Sequence, residues 1–288
     1  MAEAKGVPLR TPIEANSASR SAGLLKRTLS TLLLLPAFLA IVIAGPAWLF
    51  GATVVLVAAL GQWEFTGMFE RAGIQTYRVI GLAGGVALTA SFAWPVSERG
   101  FTVILLAVLA AALGRPRGQR TGWEPLVITV FGICYVNWLL GYGVWLRDLP
   151  FGKEWILLLV WVTWLGEAAA YLVGSTVGRH QLAPLISPRK TIEGAAAQFF
   201  VSIAAAVVGQ AWFFSELPRE HAVVVGAVLG VAGQIGDLVE SALKRSVGTK
   251  DTSRLIPGHG GMLDRIDSLL FNTPVLFYYA AHGRMLTS

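Results

Sequence analysis

The sequence predicts an all-α, polytopic integral membrane bundle of about nine transmembrane helices, with its N-terminus in the cytoplasm. Three observations lead there. Of the 288 residues, 55% are hydrophobic and only 14% are charged, against about 25% charged in a soluble globular domain. The apolar residues fall in long runs such as Phe101–Leu113, Trp155–Leu165 and Ala222–Ala232, which read as bilayer-spanning helices rather than as half-buried ones. The basic residues gather in the short connections. With the N-terminus inside, 18 of the 23 Lys and Arg lie on the cytoplasmic side and five on the other, as the positive-inside rule requires.

Each segment follows in order. Residues 1–27 are polar and rich in Ala, Ser and Pro, and are expected to form a disordered cytoplasmic tail; residues 28–288 form the membrane domain. Lys26 and Arg27 precede the run Leu32–Ile43, a pattern shared with signal peptides, but the many apolar segments that follow favour an uncleaved first span. Spans are predicted at about 29–45, 47–62, 79–96, 101–114, 125–146, 154–174, 192–214, 221–241 and 266–283. The first, second and fourth fall short of the roughly 20 residues a perpendicular helix needs. Cys134 is the one cysteine, so no disulfide forms within the chain. The net charge of +6 is spent on topology, which argues against a nucleic-acid partner. All connections are short, so any chemistry is done at or within the membrane, on a lipid or a translocated solute.

Acidic residues in apolar spans carry the first functional signal. A charge at the centre of a spanning helix costs roughly 2.5–3.5 kcal/mol, so such residues face an interior cavity and have a role. Glu64, Glu167, Asp237 and Glu240 are of this kind. Asp237 lies 16 residues after His221, roughly 24 Å from the outer end at 1.5 Å per residue. By the same rise Glu167 is about 20 Å in. Both belong to the cytoplasmic half.

The densest constellation runs from Gly236 to Ser268. On one helix Asp237, Glu240, Ser241 and Lys244 share a face, and that helix should stop near Gly248, before Pro257. Gly260 and Gly261 after His259 let the backbone approach a ligand. Asp264 and Asp267 then open the last helix. Asp237, Asp264 and Asp267 are hard oxygen ligands suited to Mg2+ and substrate phosphates, while Lys244, Arg245, Lys250, Arg254 and Arg265 suit phosphate oxygens. A second basic cluster, Ser187-Pro188-Arg189-Lys190-Thr191, precedes the seventh span where anionic headgroups and nucleotides lie. No P-loop sequence is present. These residues indicate a metal-using membrane enzyme acting on a phosphorylated substrate and leave that substrate open.

The stretch Ser241–Asp267 resembles the signature of the phosphatidate cytidylyltransferases, or CDP-diacylglycerol synthases, S-x-x-K-R-x4-K-D-x4-[hydrophobic]-P-x-H-G-G-x-x-D-R-x-D. Ser241, Lys244, Arg245, Lys250, Asp251, Pro257, His259, Gly260, Gly261, Asp264, Arg265 and Asp267 all fit. The resemblance implies transfer of the cytidylyl group of CTP to phosphatidic acid, giving CDP-diacylglycerol and pyrophosphate, at the cytoplasmic face of a bacterial inner membrane. It implies Mg2+ held by Asp237 and Asp264 with Asp267 close by, and Lys190, Lys244, Arg245 and Lys250 on phosphates. Asp237, Lys244, Arg245, Lys250, Asp264 and Arg265 form the implied catalytic set. Ser187, Arg189, Lys190, Ser241, Lys250, His259, Gly260 and Gly261 form the implied substrate-binding set, His259 positioning phosphate or the glycine turn. The family usually has Asp four residues before the Tyr of an Ala-Tyr pair; here that place, ahead of Ala170-Tyr171, is Glu167. A related enzyme acting on another lipid and an ion-coupled transporter are the alternatives. A second cation, a homo-oligomer and the acyl-chain preference stay open.

Overall fold

A computed structural model describes residues 35–93, 103, 106–110, 123–253 and 260–282. Residues 35–43 are helical. Then come α1 (Ala47–Arg71), α2 (Arg78–Ser91), α3 (Glu124–Asp148), α4 (Gly152–Thr176), a hairpin of β1 (Gln181–Ala183) and β2 (Ser187–Thr191), α5 (Ile192–Phe213), α6 (Arg219–Ser246) and α7 (Leu263–His282). Among the described residues, α1, α3, α4, α5 and α6 are long and apolar enough to cross a membrane, and α2 is shorter. The predicted first span appears as residues 35–43, and of the fourth only residues 103 and 106–110 are described, as helix. The tail expected over residues 1–27 lies outside the described residues.

Two expectations need correction. The second span was predicted to end at residue 62, but α1 continues through Trp63 and Glu64 to Arg71, 25 residues in all. Glu64 does not end the helix because its carboxylate is buried against hydrogen-bond donors. The fold is also not purely helical. Pro188 disfavours helix at the residue before it, and Ser187–Thr191 instead pairs antiparallel with Gln181–Ala183, in the register Gln181↔Thr191 and Ala183↔Ser187. The strand runs straight into α5, whose N-cap Thr191 accepts a hydrogen bond from the Gly194 amide at 3.1 Å. Such a cap satisfies one of the orphan donors of the first turn.

Helices α3 to α7 alternate in direction, while α2 runs parallel to α3, with Gly81 against Thr129 and Gly85 against Asn137, so the end of α1, the starts of α3, α5 and α7, and the ends of α4 and α6 meet at one end of the bundle. In a bilayer, helices associate through close packing rather than through exclusion of water, which favours small residues at contacts. Helix α6 follows that rule with Gly226, Gly230, Gly233 and Gly236. A Cβ on Gly236 would sit 2.6 Å from the Asp267 carbonyl oxygen of α7, so α6 and α7 touch backbone to backbone beside the acids.

Halfway along α3 the backbone widens into a π-helical turn over Ile133–Trp138, a form that is rare and concentrates at functional places. Asn137 in this turn donates to Gln62 Oε1 of α1 at 3.1 Å. Its own Oδ1 accepts from Thr89 of α2, also at 3.1 Å. Three helices are thus tied by polar contacts inside an apolar core that includes Phe65, Leu88 and Val136.

Candidate active site

Helix α6 presents Asp237, Glu240, Ser241 and Lys244 on one face, because residues three and four apart are neighbours on a helix. Ser241 Oγ donates to Asp237 Oδ1 at 3.4 Å. Lys244 Nζ lies 2.5 Å from Glu240 Oε2 and 2.8 Å from Asp264 Oδ1 of α7. One ammonium therefore bridges two acids from two helices. Asp267, one helical turn after Asp264, completes the arrangement: carboxylate oxygens of Asp237, Glu240 and Asp267 lie within 4.8 Å of one another.

Three carboxylates this close repel, and a buried cluster of them needs a compensating cation or protons. Lys244 supplies part of the compensation. Lys190 of β2 supplies more, with its Nζ 2.7 Å from Asp237 Oδ2. Glu240 is almost fully buried, yet its Oε1 has no hydrogen-bond partner among the described residues. An orphaned carboxylate oxygen beside two further acids is the donor chemistry a hard divalent cation takes. Asp237, Glu240 and Asp267 fit such an ion. Asp264 stands next to them across Lys244.

The hairpin that carries Lys190 is anchored to α5. Glu193 accepts from the backbone amides of Arg179 and His180 through Oε2, at 3.2 and 3.3 Å, and pairs with His180 Nδ1 through Oε1 at 2.6 Å. Ser187 and Arg189 lie on the same strand, with Arg189 exposed. Arg245 points away from the acids and donates to the Ile186 and Thr249 carbonyls, each at 3.3 Å. Lys250 is exposed in the loop after α6 and Arg265 on the first turn of α7. His259 lies outside the described residues. Glu167, from α4, is close enough to Asp237, Lys190 and Arg265 for their charges to act on it, so the residue that departs from the signature stands beside the acids.

The turn into α7 is built around two carboxylates. Asp264 Oδ2 accepts from the Gly261 amide at 3.0 Å, from Thr252 Oγ1 at 2.8 Å and from the Thr252 amide at 3.3 Å. Glu64 of α1, 2% exposed, accepts from the Leu263 amide at 2.8 Å, from Ser253 Oγ at 2.6 Å and from Thr252 Oγ1 at 3.4 Å. Arg71, two turns further along α1, donates to the Thr252 carbonyl. Gly260 takes a φ of 87°. At Gly261 a Cβ would collide with Thr252 Oγ1 and sit 2.6 Å from Glu64 Oε2. Gly260 is thus required by its left-handed backbone, and Gly261 by the approach of Thr252 and Glu64.

Sequence reasoning singled out Glu64 as an intramembrane acid but assigned it no role, because its partners stand 188 residues away. Thr252 and Ser253 gave no signal at all. Glu240 was visible on the face of Asp237 by its spacing, without being placed among the ligands.

Comparison with known proteins follows this geometry. The chain matches the cytidylyltransferase family over residues 25–282. It belongs to that family. The phosphatidate cytidylyltransferase of Bacillus subtilis strain 168 is 31% identical over 240 residues, covering 79% of this chain and 88% of that protein. The uncharacterized protein YnbB of Escherichia coli K12 is 38% identical over 159 residues, 55% of this chain and 51% of its own length. A phosphatidate cytidylyltransferase of Staphylococcus epidermidis is 37% identical over 158 residues, 55% of this chain and 60% of its own. With those last two relatives the match thus spans between half and three fifths of their length. Membership in the cytidylyltransferase family agrees with a bundle whose buried acids and lysines meet at one end.

Proposed function

We propose that the protein transfers the cytidylyl group of CTP to phosphatidic acid, forming CDP-diacylglycerol and pyrophosphate at the cytoplasmic face of a bacterial inner membrane. The observation that carries this reading is the meeting of Asp237, Glu240 and Asp267, from two helices, within 4.8 Å, with Lys190 and Lys244 against them. Such a site suits two phosphate-bearing partners that must be brought together despite like charge. The family membership and the named relatives support cytidylyl transfer as the chemistry.

In the reaction a phosphatidate oxygen attacks the α-phosphorus of CTP. The new O–P bond forms as the bond from the α-phosphorus to the bridging oxygen breaks, and the electron pair leaves on pyrophosphate. Asp237, Glu240 and Asp267 would hold Mg2+, with Asp264 adjacent. When bound, the cation offsets charge on the phosphate oxygens. Lys190 then turns from Asp237 toward phosphate, exchanging that ion pair for a substrate contact, while Lys244 meets phosphate from its place between Glu240 and Asp264. Arg245, Lys250 and Arg265 extend the positive charge outward and Ser187, Arg189, Ser241, His259, Gly260 and Gly261 border the substrates. Glu64 and Asp264 keep the glycine turn in place. We further propose nine spans with the N-terminus inside and residues 1–27 as a cytoplasmic tail, following the 18 against 5 distribution of basic residues.

The test is direct. Purified full-length protein in mixed micelles is incubated with CTP, phosphatidate and Mg2+, and pyrophosphate and CDP-diacylglycerol are followed. Turnover should require all three, stop with a chelator and return with Mg2+. Asp237→Asn should lower kcat by about 100-fold or more. No turnover with demonstrably accessible lipid overturns the reading.

A further inference from the structure

The acidic group has a neighbour that neither the signature nor the ion pairs include. Tyr135 belongs to the π-helical turn of α3. It is 5% exposed, and its hydroxyl has no hydrogen-bond partner among the described residues. A buried hydroxyl left without a partner is costly, so a fold keeps one only where something else is gained.

Its position says what that is. A Cβ on Gly61 of α1 would touch Val136 at 3.0 Å and Ile266 at 3.4 Å, so the residues next to Tyr135 and next to Asp267 meet at one point of α1. The Tyr135 hydroxyl is close enough to Glu240, Asp267 and Asp237 for their charges to act on it. Its ring is held from the other side, stacked on Phe131 at 5.6 Å with 10° between the planes and tilted against Phe65 at 6.2 Å. The extra residue of a π turn rotates the side chains after it relative to a regular helix. Here that turn carries a phenol within the field of the carboxylates, 11 residues into α3 and roughly 16 Å along its axis.

We infer that Tyr135 is a phosphate-contacting residue of this site, its hydroxyl donating to an oxygen of the phosphate that Lys190 and Lys244 attract. A neutral phenol can give a hydrogen bond to an anion without adding a buried charge. It therefore lines the deep wall of a site whose lysines stand on the other sides. The inference rests on the phosphate chemistry proposed above, and the phosphate belongs either to CTP or to the lipid.

Tyr135→Phe deletes the hydroxyl and keeps the stacked ring, while Tyr135→Leu removes both. For Tyr135→Phe in micelles, kcat/KM should fall about 10- to 100-fold. The Mg2+ concentration giving half-maximal rate should stay within about twofold of wild type, and the unfolding midpoint within about 2 °C. A raised KM for phosphatidate assigns the contact to the lipid phosphate, and a raised KM for CTP assigns it to the nucleotide. Both support the inference. Wild-type turnover matched by Tyr135→Phe within twofold, with Tyr135→Leu impaired, overturns it and leaves the proposed reaction standing. A Phe variant that melts about 5 °C lower or fails to fold also overturns it, since the hydroxyl would then serve the fold. Should wild type show no turnover, the reaction falls separately, and binding decides the inference. Mg2+ with CTP, and phosphatidate micelles, should each be tested for raising the wild-type unfolding midpoint. A shift that Tyr135→Phe loses with either ligand supports it, and equal shifts or none overturn it.

Discussion

Lys244 is the residue on which most charge converges. Its side chain is 15% exposed and its ammonium is shared by Glu240 at 2.5 Å and Asp264 at 2.8 Å. Removing one partner of a buried ion pair strands the others without compensation, at a cost of about 3–5 kcal/mol. Lys244→Met should therefore lower stability by about 3 kcal/mol or more and abolish turnover, as read by unfolding in detergent and by pyrophosphate release. A loss under about 1 kcal/mol would mean that the two acids are neutralised in another way. Lys190 is a different case. It is half-buried, and its pair with Asp237 alone is suited to release when phosphate arrives. The spacing of Asp237, Glu240, Ser241 and Lys244 made this face readable from the sequence alone, since helical periodicity is local. Which acids draw close was not readable. Asp264 and Asp267 are both one helical step from candidate positions, and only the angle between α6 and α7 sets Asp267 beside Asp237 and Glu240 while Asp264 faces Lys244.

At the level of elements, α1 is a brace for the turn that opens α7. Glu64 meets Thr252, Ser253 and the Leu263 amide, and a carboxylate at a helix N-terminus is favoured by the helix dipole. Glu64→Gln keeps the shape but loses the charge and one acceptor. It should cut kcat about 10-fold and speed tryptic cleavage at Lys250, as the turn opens more often. Unchanged cleavage and unchanged turnover together would show that α1 does not hold the turn. This brace was illegible in the sequence because no local pattern joins residue 64 to residue 252. The hairpin was illegible for another reason. Ser187–Thr191 is too short and too polar to show strand periodicity, and Pro188 marks only where helix cannot be. By contrast the long helices α4, α5 and α6 were legible nearly to their ends, since each is an apolar run bounded by polar residues.

For the whole molecule, charge asymmetry predicts which way the bundle sits. Leu185, at the turn of the hairpin, is 93% exposed and lies on the end of the bundle that carries the acids. A Leu185→Cys variant, made with Cys134→Ser, should react with a membrane-impermeant maleimide in inside-out vesicles and not in intact spheroplasts. The reverse pattern would invert the topology. Length alone does not make α2 a span: at 14 residues it is too short to cross upright, and its membership in the bundle rests on the contact of Thr89 with Asn137. The backbone contact at Gly236 has one last consequence. Where two main chains already touch, neither wall of the acidic cleft can yield without breaking the seam between them. The jaws of this site are therefore fixed, and accommodation of an arriving headgroup falls to the hairpin bearing Lys190. Loosening the seam with a bulkier residue at position 236 would widen the gap between carboxylates and blunt their grip on any ion.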